Sequence, residues 1–430
     1  MNDIKKLFPA NGVCVYLMPS DRFKTSVVSV NLAMPLDGRV EERAILSSLL
    51  RRCSQKYDDM TKMNRKLASL YGAVLGSAVT KKGEAQLVTF SLTSVDDRFA
   101  MDNEKIGEES LKLLIELLFE PKLVDGVFSS EDIETEKRLL IEKIDSEFSE
   151  KRIYALTRAE EEMCKNERFA TKRYGSKERI SSLTVEDVTK AWKEMLEKAI
   201  IQINIVGNVD ASNIGKELEE RFAKIDRSEL CGISTEFVVS ADRENYVCEK
   251  QAVKQGKLVI GLRAGMTDKD DNNFVLSIFT DVFGGGPYSK LFMNVREKMS
   301  LCYYCSARYN RQKGIIMIQS GIEQENEQKA ISAIKAQLKD MKNGNFTKED
   351  LENSIKGITD SLLAVSDSPE SIDSWYSGQY TSVGEDELLS PEQFAQNIKN
   401  VTVQQVQAAA QNVTVDTIYM LKPNGEEAEE

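Results

Sequence analysis

Apolar and polar positions along the chain follow two different periods in successive stretches. Runs rich in β-branched residues at 13–17, 27–33, 87–92, Ile200–Val206, 258–262, 315–319 and 417–421 predict strands, because branched side chains suit a pleated, half-buried surface. Elsewhere the apolar positions recur at helical spacing beside charged faces, at 103–119, 130–148, Val185–Lys198, 328–341 and 348–363, which predicts helices. Strands come in groups and helices gather between the groups. That arrangement predicts an α+β fold rather than a regular βαβ alternation.

The two halves resemble each other. Asp132 and Ile133 in SSEDIETEK match Asp350 and Leu351 in TKEDLENS, and Thr184, Val185 and Val188 match Thr402, Val403 and Val406, both at a shift of 218 positions. In each half the second match precedes a helical stretch and then a closing strand, a pattern expected of an internal duplication. The plain alternative is chance likeness between two helix starts, each a Ser or Thr cap followed by acids. A duplication predicts a first domain at 1–228, a polar linker at 229–245 overlapping the weakly periodic stretch 226–244, and a second domain at 246–424. The acidic ending, 425–430, is expected to be disordered because it is self-repelling and has almost no apolar side chains.

Composition narrows the chemistry. At 430 residues and 41% hydrophobic, the chain is long enough for roughly three domains, or two large ones, each with its own core. Its 69 acidic and 57 basic residues give a net charge of -12, which argues against nucleic acid or an anionic membrane as a partner. The chain holds no histidine, which removes Ser-His and Cys-His pairs, histidine bases and every imidazole zinc site. Seven scattered cysteines, an odd number, do not form a disulfide framework and favour a reducing compartment. Only Cys302 and Cys305 have C-x-x-C spacing, and they read as buried strand residues. With no charged-then-apolar leader and no apolar run near the roughly 18 residues of a membrane span, the expected location is the cytoplasm.

Four stretches carry a family resemblance: SVVSVNLAMPLDGRVEERAILSSLLRRCS, LASLYGAVLGSAVTKKGE, RYGSKERISSLTVEDV with IIQINIVGNVD, and VFGGGPYSKLFMNVREKMSLCYYCSARY. The chain resembles the pitrilysin, insulinase and mitochondrial processing peptidase superfamily of zinc peptidases, and within it the non-catalytic member of the bacterial two-subunit type. The last stretch is the most specific, with Gly-Gly-Gly, Ser-x-Leu-Phe and Arg-Glu-Lys-x-x-Leu-x-Tyr in order. The resemblance implies two tandem homologous domains, each a mixed, largely antiparallel sheet backed by helices.

Active members of that family carry His-x-x-Glu-His on the first helix, where two imidazoles bind zinc and the carboxylate activates water. The corresponding positions here are Ala44, Ser47 and Ser48. The resemblance therefore implies no catalysis, no metal and no cofactor in this chain, with zinc expected in a partner subunit. The family's third ligand falls at Glu142, which reads as a solvated helix residue because one carboxylate holds catalytic zinc poorly.

The family's substrate-gripping Arg and Tyr, seven residues apart, correspond to Arg296 and Tyr303. A guanidinium and a phenol both donate hydrogen bonds and can hold a peptide carbonyl. The plain reading of the same residues pairs Arg296 with Glu297 and buries Tyr303 in a strand core. Gly284, Gly285 and Gly286 permit φ > 0 and close backbone approach, yet match neither phosphate-loop pattern. The resemblance makes them a flexible lip beside the substrate.

The leading expectation is a substrate-binding subunit that pairs with an active His-x-x-Glu-His peptidase subunit as a heterodimer and helps present peptide to the partner's zinc, partly by strand addition to a sheet edge. A homodimer is possible for the chain alone. The competing expectation is a scaffold or peptide-binding protein of the same fold with no proteolytic role. An independent enzyme using Lys or carboxylates has no supporting motif.

Overall fold

A computed structural model describes residues 4–270, 272–383 and 388–424; the acidic ending 425–430 lies outside them. The described chain forms two compact units. The first contains the described residues of Met1–Ile144, Thr171–Ser234 and Val365–Leu388, and the second those of Asp145–Ala170, Thr235–Ala364 and Leu389–Glu430.

The first unit holds six strands: β1 Lys5–Ala10, β2 Val13–Met18, β3 Thr25–Pro35, β4 Val74–Lys82, β5 Ala85–Val95 and β6 Ile200–Val206. Their order in the sheet is β1-β2-β6-β3-β5-β4. Only β2 and β6 run parallel; the other neighbours are antiparallel. The second unit holds β7 Asn245–Gln251, β8 Gly256–Arg263, β9 Tyr304–Asn310, β10 Ile315–Ile322 and β11 Thr414–Pro423, in the order β7-β11-β8-β10-β9. Here β7 and β11 form the parallel pair. The second sheet thus repeats the first without β1: β7, β11, β8, β10 and β9 stand where β2, β6, β3, β5 and β4 do.

The helices repeat with the same shift. Helix Ser130–Ser149 corresponds to Lys348–Ala364, and Val185–Lys198 to Val403–Asn412, each starting 218 positions later. Thr184 and Thr402 close equivalent capping boxes, with Asp187 and Gln405 bonding back, so two donors at each helix start are satisfied reciprocally. These are the two segments that reveal the duplication in the sequence. Two α+β units, each a mixed sheet backed by helices, are the architecture.

One repeated element changes places. Helix Lys151–Met163 follows the first half's long helix but belongs to the second unit, whereas its counterpart Pro369–Val383, again 218 positions later, belongs to the first. Ala155, Ala159 and Met163 join Val259, Ile315, Met317, Tyr419 and Leu421 in one apolar cluster. In the first unit, Ile372 and Tyr376 pack with Cys14, Tyr16, Met18 and Val206. Beside them the Asp373 carboxylate accepts hydrogen bonds from Ser29 Oγ at 2.6 Å and Asn204 Nδ2 at 2.7 Å. Helical periodicity does not show which sheet a helix covers.

Candidate functional site

Two places carry the chemistry expected from the sequence, one in each unit. In the first unit, helix Val40–Arg52 turns Val40, Ala44, Ile45, Leu46, Leu49 and Leu50 into the core. Ala44 is buried as a bare methyl. Ser47 is buried too, and its hydroxyl donates to the Ala44 carbonyl at 2.8 Å, the local back-bond that serine makes inside a helix. Ser48 is half-buried.

A methyl and two hydroxyls do not fit a catalytic zinc, which takes imidazole, thiolate or carboxylate ligands. Among the described residues no group of three or more Cys, Asp or Glu side chains could hold a metal ion. The charges of this helix serve its anchorage. The buried Arg43 guanidinium donates to Gln86 Oε1 at 2.6 Å and to the Pro35 and Asp37 carbonyls. Burial pushes its pKa down, against the pull of Asp37 and Glu42. Arg179 pairs with the buried Glu42, and Arg52 reaches Asp132 and Glu136 on helix Ser130–Ser149 at 3.1 and 3.2 Å. Glu142 lies farther along that helix, is exposed, and pairs with Arg138 one turn away at 2.9 Å. Sequence spacing gives no sign that Asp132 and Glu136, rather than Glu142, are the carboxylates meeting the first helix.

The second unit holds the Gly-Gly-Gly stretch and the Arg/Tyr pair on consecutive elements. Helix Asn273–Gly284 leads to a short turn and then to an eight-residue π-helix, Leu291–Lys298. Such wide turns are rare and concentrate at functional sites. None of the three glycines has a positive φ; close approach requires the first two instead. A Cβ on Gly284 would lie 2.8 Å from Ala307 and Leu291, and one on Gly285 would lie 2.6 Å from the Asp281 Cα. Gly284 is buried against β9, whereas Gly285 and Gly286 reach the surface. Tyr288 donates to Asp281 at 2.6 Å and fastens the turn. Burial lifts the Asp281 pKa, opposed by that hydrogen bond.

The π-helix places Arg296 one turn from Phe292, with its guanidinium 4.5 Å from the ring centroid, a cation–π contact. The same guanidinium stands 3.6 Å from Glu297 and keeps about 39% of its side-chain surface exposed. Tyr303 is 61% exposed and donates to Glu323 at 2.7 Å. That hydrogen bond, made only by the protonated phenol, raises the tyrosine pKa. Met293 and Met299, close by in the sequence, are exposed too. Both donors are at least partly exposed, and each is engaged by a carboxylate of the same unit. The buried-core reading of Tyr303 does not hold.

The C-x-x-C pair divides. Cys305 is buried in β9, as read from the sequence, but Cys302 is half-exposed on the turn before it.

Comparison with known proteins adds a common thread. The model for "Peptidase M16 inactive domain" matches residues 182–358. The chain is 31% identical over 412 residues to the "Probable inactive metalloprotease YmfF" of Bacillus subtilis (strain 168), covering 96% of each. A conserved protein from Enterococcus faecalis V583 superimposes with a TM-score of 0.89 at 24% identity over 99% of each chain. A peptidase M16 inactive domain from Pseudomonas fluorescens does so with a TM-score of 0.79 at 18% identity, again over 99% of each. These two likenesses establish the fold.

Proposed function

The chain belongs to the peptidase M16 family, and from that premise we propose that it is a non-catalytic, substrate-binding subunit acting with a separate His-x-x-Glu-His subunit. The observation carrying this reading is the first helix, whose three catalytic positions are Ala44, Ser47 and Ser48. A chain that keeps the family's fold over its whole length, but not the side chains that hold the metal, is left with binding as its contribution. The name of the Bacillus relative, a probable inactive metalloprotease, supports the same reading.

In this reading the partner supplies zinc and hydrolysis, and Arg296 and Tyr303 donate to the peptide backbone. The edge of the second sheet favours such a role. β9 starts immediately after Tyr303 and, among the described residues, no strand pairs with its outer edge. A peptide adding there would be held by main-chain hydrogen bonds, which tolerate varied sequences. Without its partner the chain would form a homodimer by placing a second copy where the partner belongs. The proposed location is the cytoplasm, in keeping with the finding that no helix among the described residues is long and apolar enough to cross a membrane.

A scaffold role without proteolysis draws on one observation: Glu297 and Glu323 already engage the two donors. Mixing the chain with its cognate active subunit separates the readings. For the substrate-binding subunit, peptide cleavage needs both chains, zinc is found only in the partner, and Arg296→Ala lowers kcat/KM about ten- to a hundredfold, the worth of one charged hydrogen bond. Unchanged cleavage by the variant mixture would favour the scaffold.

A further inference from the structure

We propose that the outer edge of β9 selects acidic peptides, recognising two carboxylates four residues apart with Arg152 and Arg308. The inference rests on the proposal that a peptide adds to that edge, and it names the chemistry of that peptide. Successive side chains of a strand point to opposite faces. Cys305 and Ala307 of β9 are buried on one face, where Ala307 closely approaches Gly284 of helix Asn273–Gly284. Tyr304, Ser306 and Arg308 stand on the other, opposite Gly321, Gln319 and Met317 of β10. Met317 packs against Ala155 and Ala159, so helix Lys151–Met163 covers this second face.

The first turn of that helix brings a cation to the edge strand. The Arg152 guanidinium stacks on the Tyr304 ring, 4.5 Å from its centroid, and donates from Nε to Gln319 at 2.8 Å. The ring itself lies over Gly321, where an added Cβ would come within 2.5 Å of it. Lys257 of β8 belongs to the same cross-strand row, Lys257–Gly321–Tyr304, and its ammonium donates to Gln255 at 2.8 Å. Farther along β9, Arg308 is exposed and has no hydrogen bond or ion pair among the described residues.

Three cations on one face are thus met by neutral amides, a ring or solvent, in a chain whose net charge is -12. Elsewhere Arg52, Arg158, Arg179, Arg221 and Arg263 all find carboxylates. Glu150, next to Arg152, spends its carboxylate on capping the helix, accepting from the Arg152 N–H at 3.1 Å. Glu249 is engaged by Tyr154 and Tyr419. A guanidinium has five N–H donors, and Nε is the one that the Arg152 side chain uses here, so the others remain for an anion. A strand added in either direction keeps the residues opposite Tyr304 and Arg308 four positions apart, about 13 Å along the edge, with both side chains on the cation face. Directly opposite Cβ atoms lie about 5 Å apart. Asp or Glu at the first position reaches Arg152 across the Tyr304 ring, and at the second it meets Arg308.

The test measures binding to the full chain by fluorescence anisotropy, using Thr- and Val-rich peptides of about ten residues with Glu at two positions four apart. The Glu peptide should bind at least about tenfold more tightly than its Gln twin, the worth of one charged hydrogen bond. The gap should close in about 1 M salt, where the screening length is about 3 Å. Moving one Glu by a single residue sends it to the opposite face and should remove part of the gap. Arg152→Gln with Arg308→Gln should abolish the preference, and Arg152→Glu with Arg308→Glu should turn it toward a Lys twin. Equal binding of the Glu and Gln peptides to the wild-type chain overturns the inference and leaves strand addition standing. Unchanged binding after N-methylation of two adjacent central residues, which removes a donor facing β9, overturns strand addition and the inference with it, as does no binding of either peptide. The wild-type comparison uses no substitution, so a variant that fails to fold leaves it decisive.

Discussion

Helices Lys151–Met163 and Pro369–Val383 are the same element of the repeat, yet they are held in opposite ways. The first buries small side chains, Ala155 and Ala159, on the apolar face of the second sheet. A buried ion cluster secures its C-terminal end: Arg263 donates to the Met163 carbonyl at 3.0 Å and pairs with Glu167 at 2.7 Å, while Lys313 reaches Glu167 at 2.5 Å. The second helix presents a buried carboxylate, Asp373, to the hydroxyl and amide groups of β3 and β6. Charge neutralises charge in one unit, and neutral hydrogen-bonding groups surround a lone buried carboxyl in the other. Duplication therefore preserved where each helix lies in the sequence without preserving the chemistry of its dock.

The comparison is broken most severely at Glu167. Replacing it with Gln leaves the buried Arg263 and Lys313 without their shared anion, and the expected loss is about 3–5 kcal/mol in denaturant unfolding. The pH dependence of the two docks has opposite signs. Burial raises the Glu167 pKa, but the hydrogen bonds from Arg263 and Lys313 outweigh it and hold the carboxyl below its usual range. Its stabilisation is present above the unfolded value of about 4.3 and is lost as pH falls through the folded value. Burial lifts Asp373 instead, against hydrogen bonds from Ser29 and Asn204. Its contribution is full below about 3.9 and declines as pH rises through the raised value. Stability measured against pH should lose the first slope in Glu167→Gln and the second in Asp373→Asn.

Smaller effects sharpen the contrast. Asp373→Ala, which strands the buried Ser29 and Asn204 donors, should cost about 1–3 kcal/mol. Ala155→Leu should cost a similar 1–3 kcal/mol by overpacking, and Leu at the exposed Ile153 should cost almost nothing. The least effect belongs to Tyr303→Phe. An exposed phenol contributes within about 0.5 kcal/mol to stability, so unchanged unfolding together with weakened peptide handling in the two-subunit assay is the expected pair of results. A large loss of stability would mean that the Glu323 contact is structural.

Legibility in the sequence followed burial. The strand runs read from periodicity correspond to β2, β3, β5, β6, β8, β10 and β11, which are the interior strands of the two sheets. The four that escaped, β1, β4, β7 and β9, are the four edges. Interior strands are covered on both sides and become continuous apolar runs, whereas edge strands carry charges and half-exposed positions that blur the pattern. β7, with alternating exposed and half-buried residues in NYVCEKQ, merges into the polar stretch preceding it. The missed strand β9 begins immediately after Tyr303, so a part of the fold next to a candidate site residue was among the least legible.

The sequence alone determined the duplication, the α+β class and the absence of any imidazole ligand, because these depend on residue type and spacing along one chain. The tertiary structure decided which sheet each repeated helix covers, that Asp132 and Glu136 rather than Glu142 meet the first helix, and that Cys302 is half-exposed while Cys305 is buried. Local spacing sets which face of an element is apolar. Which partner that face finds is fixed only when distant segments compete for the same surface.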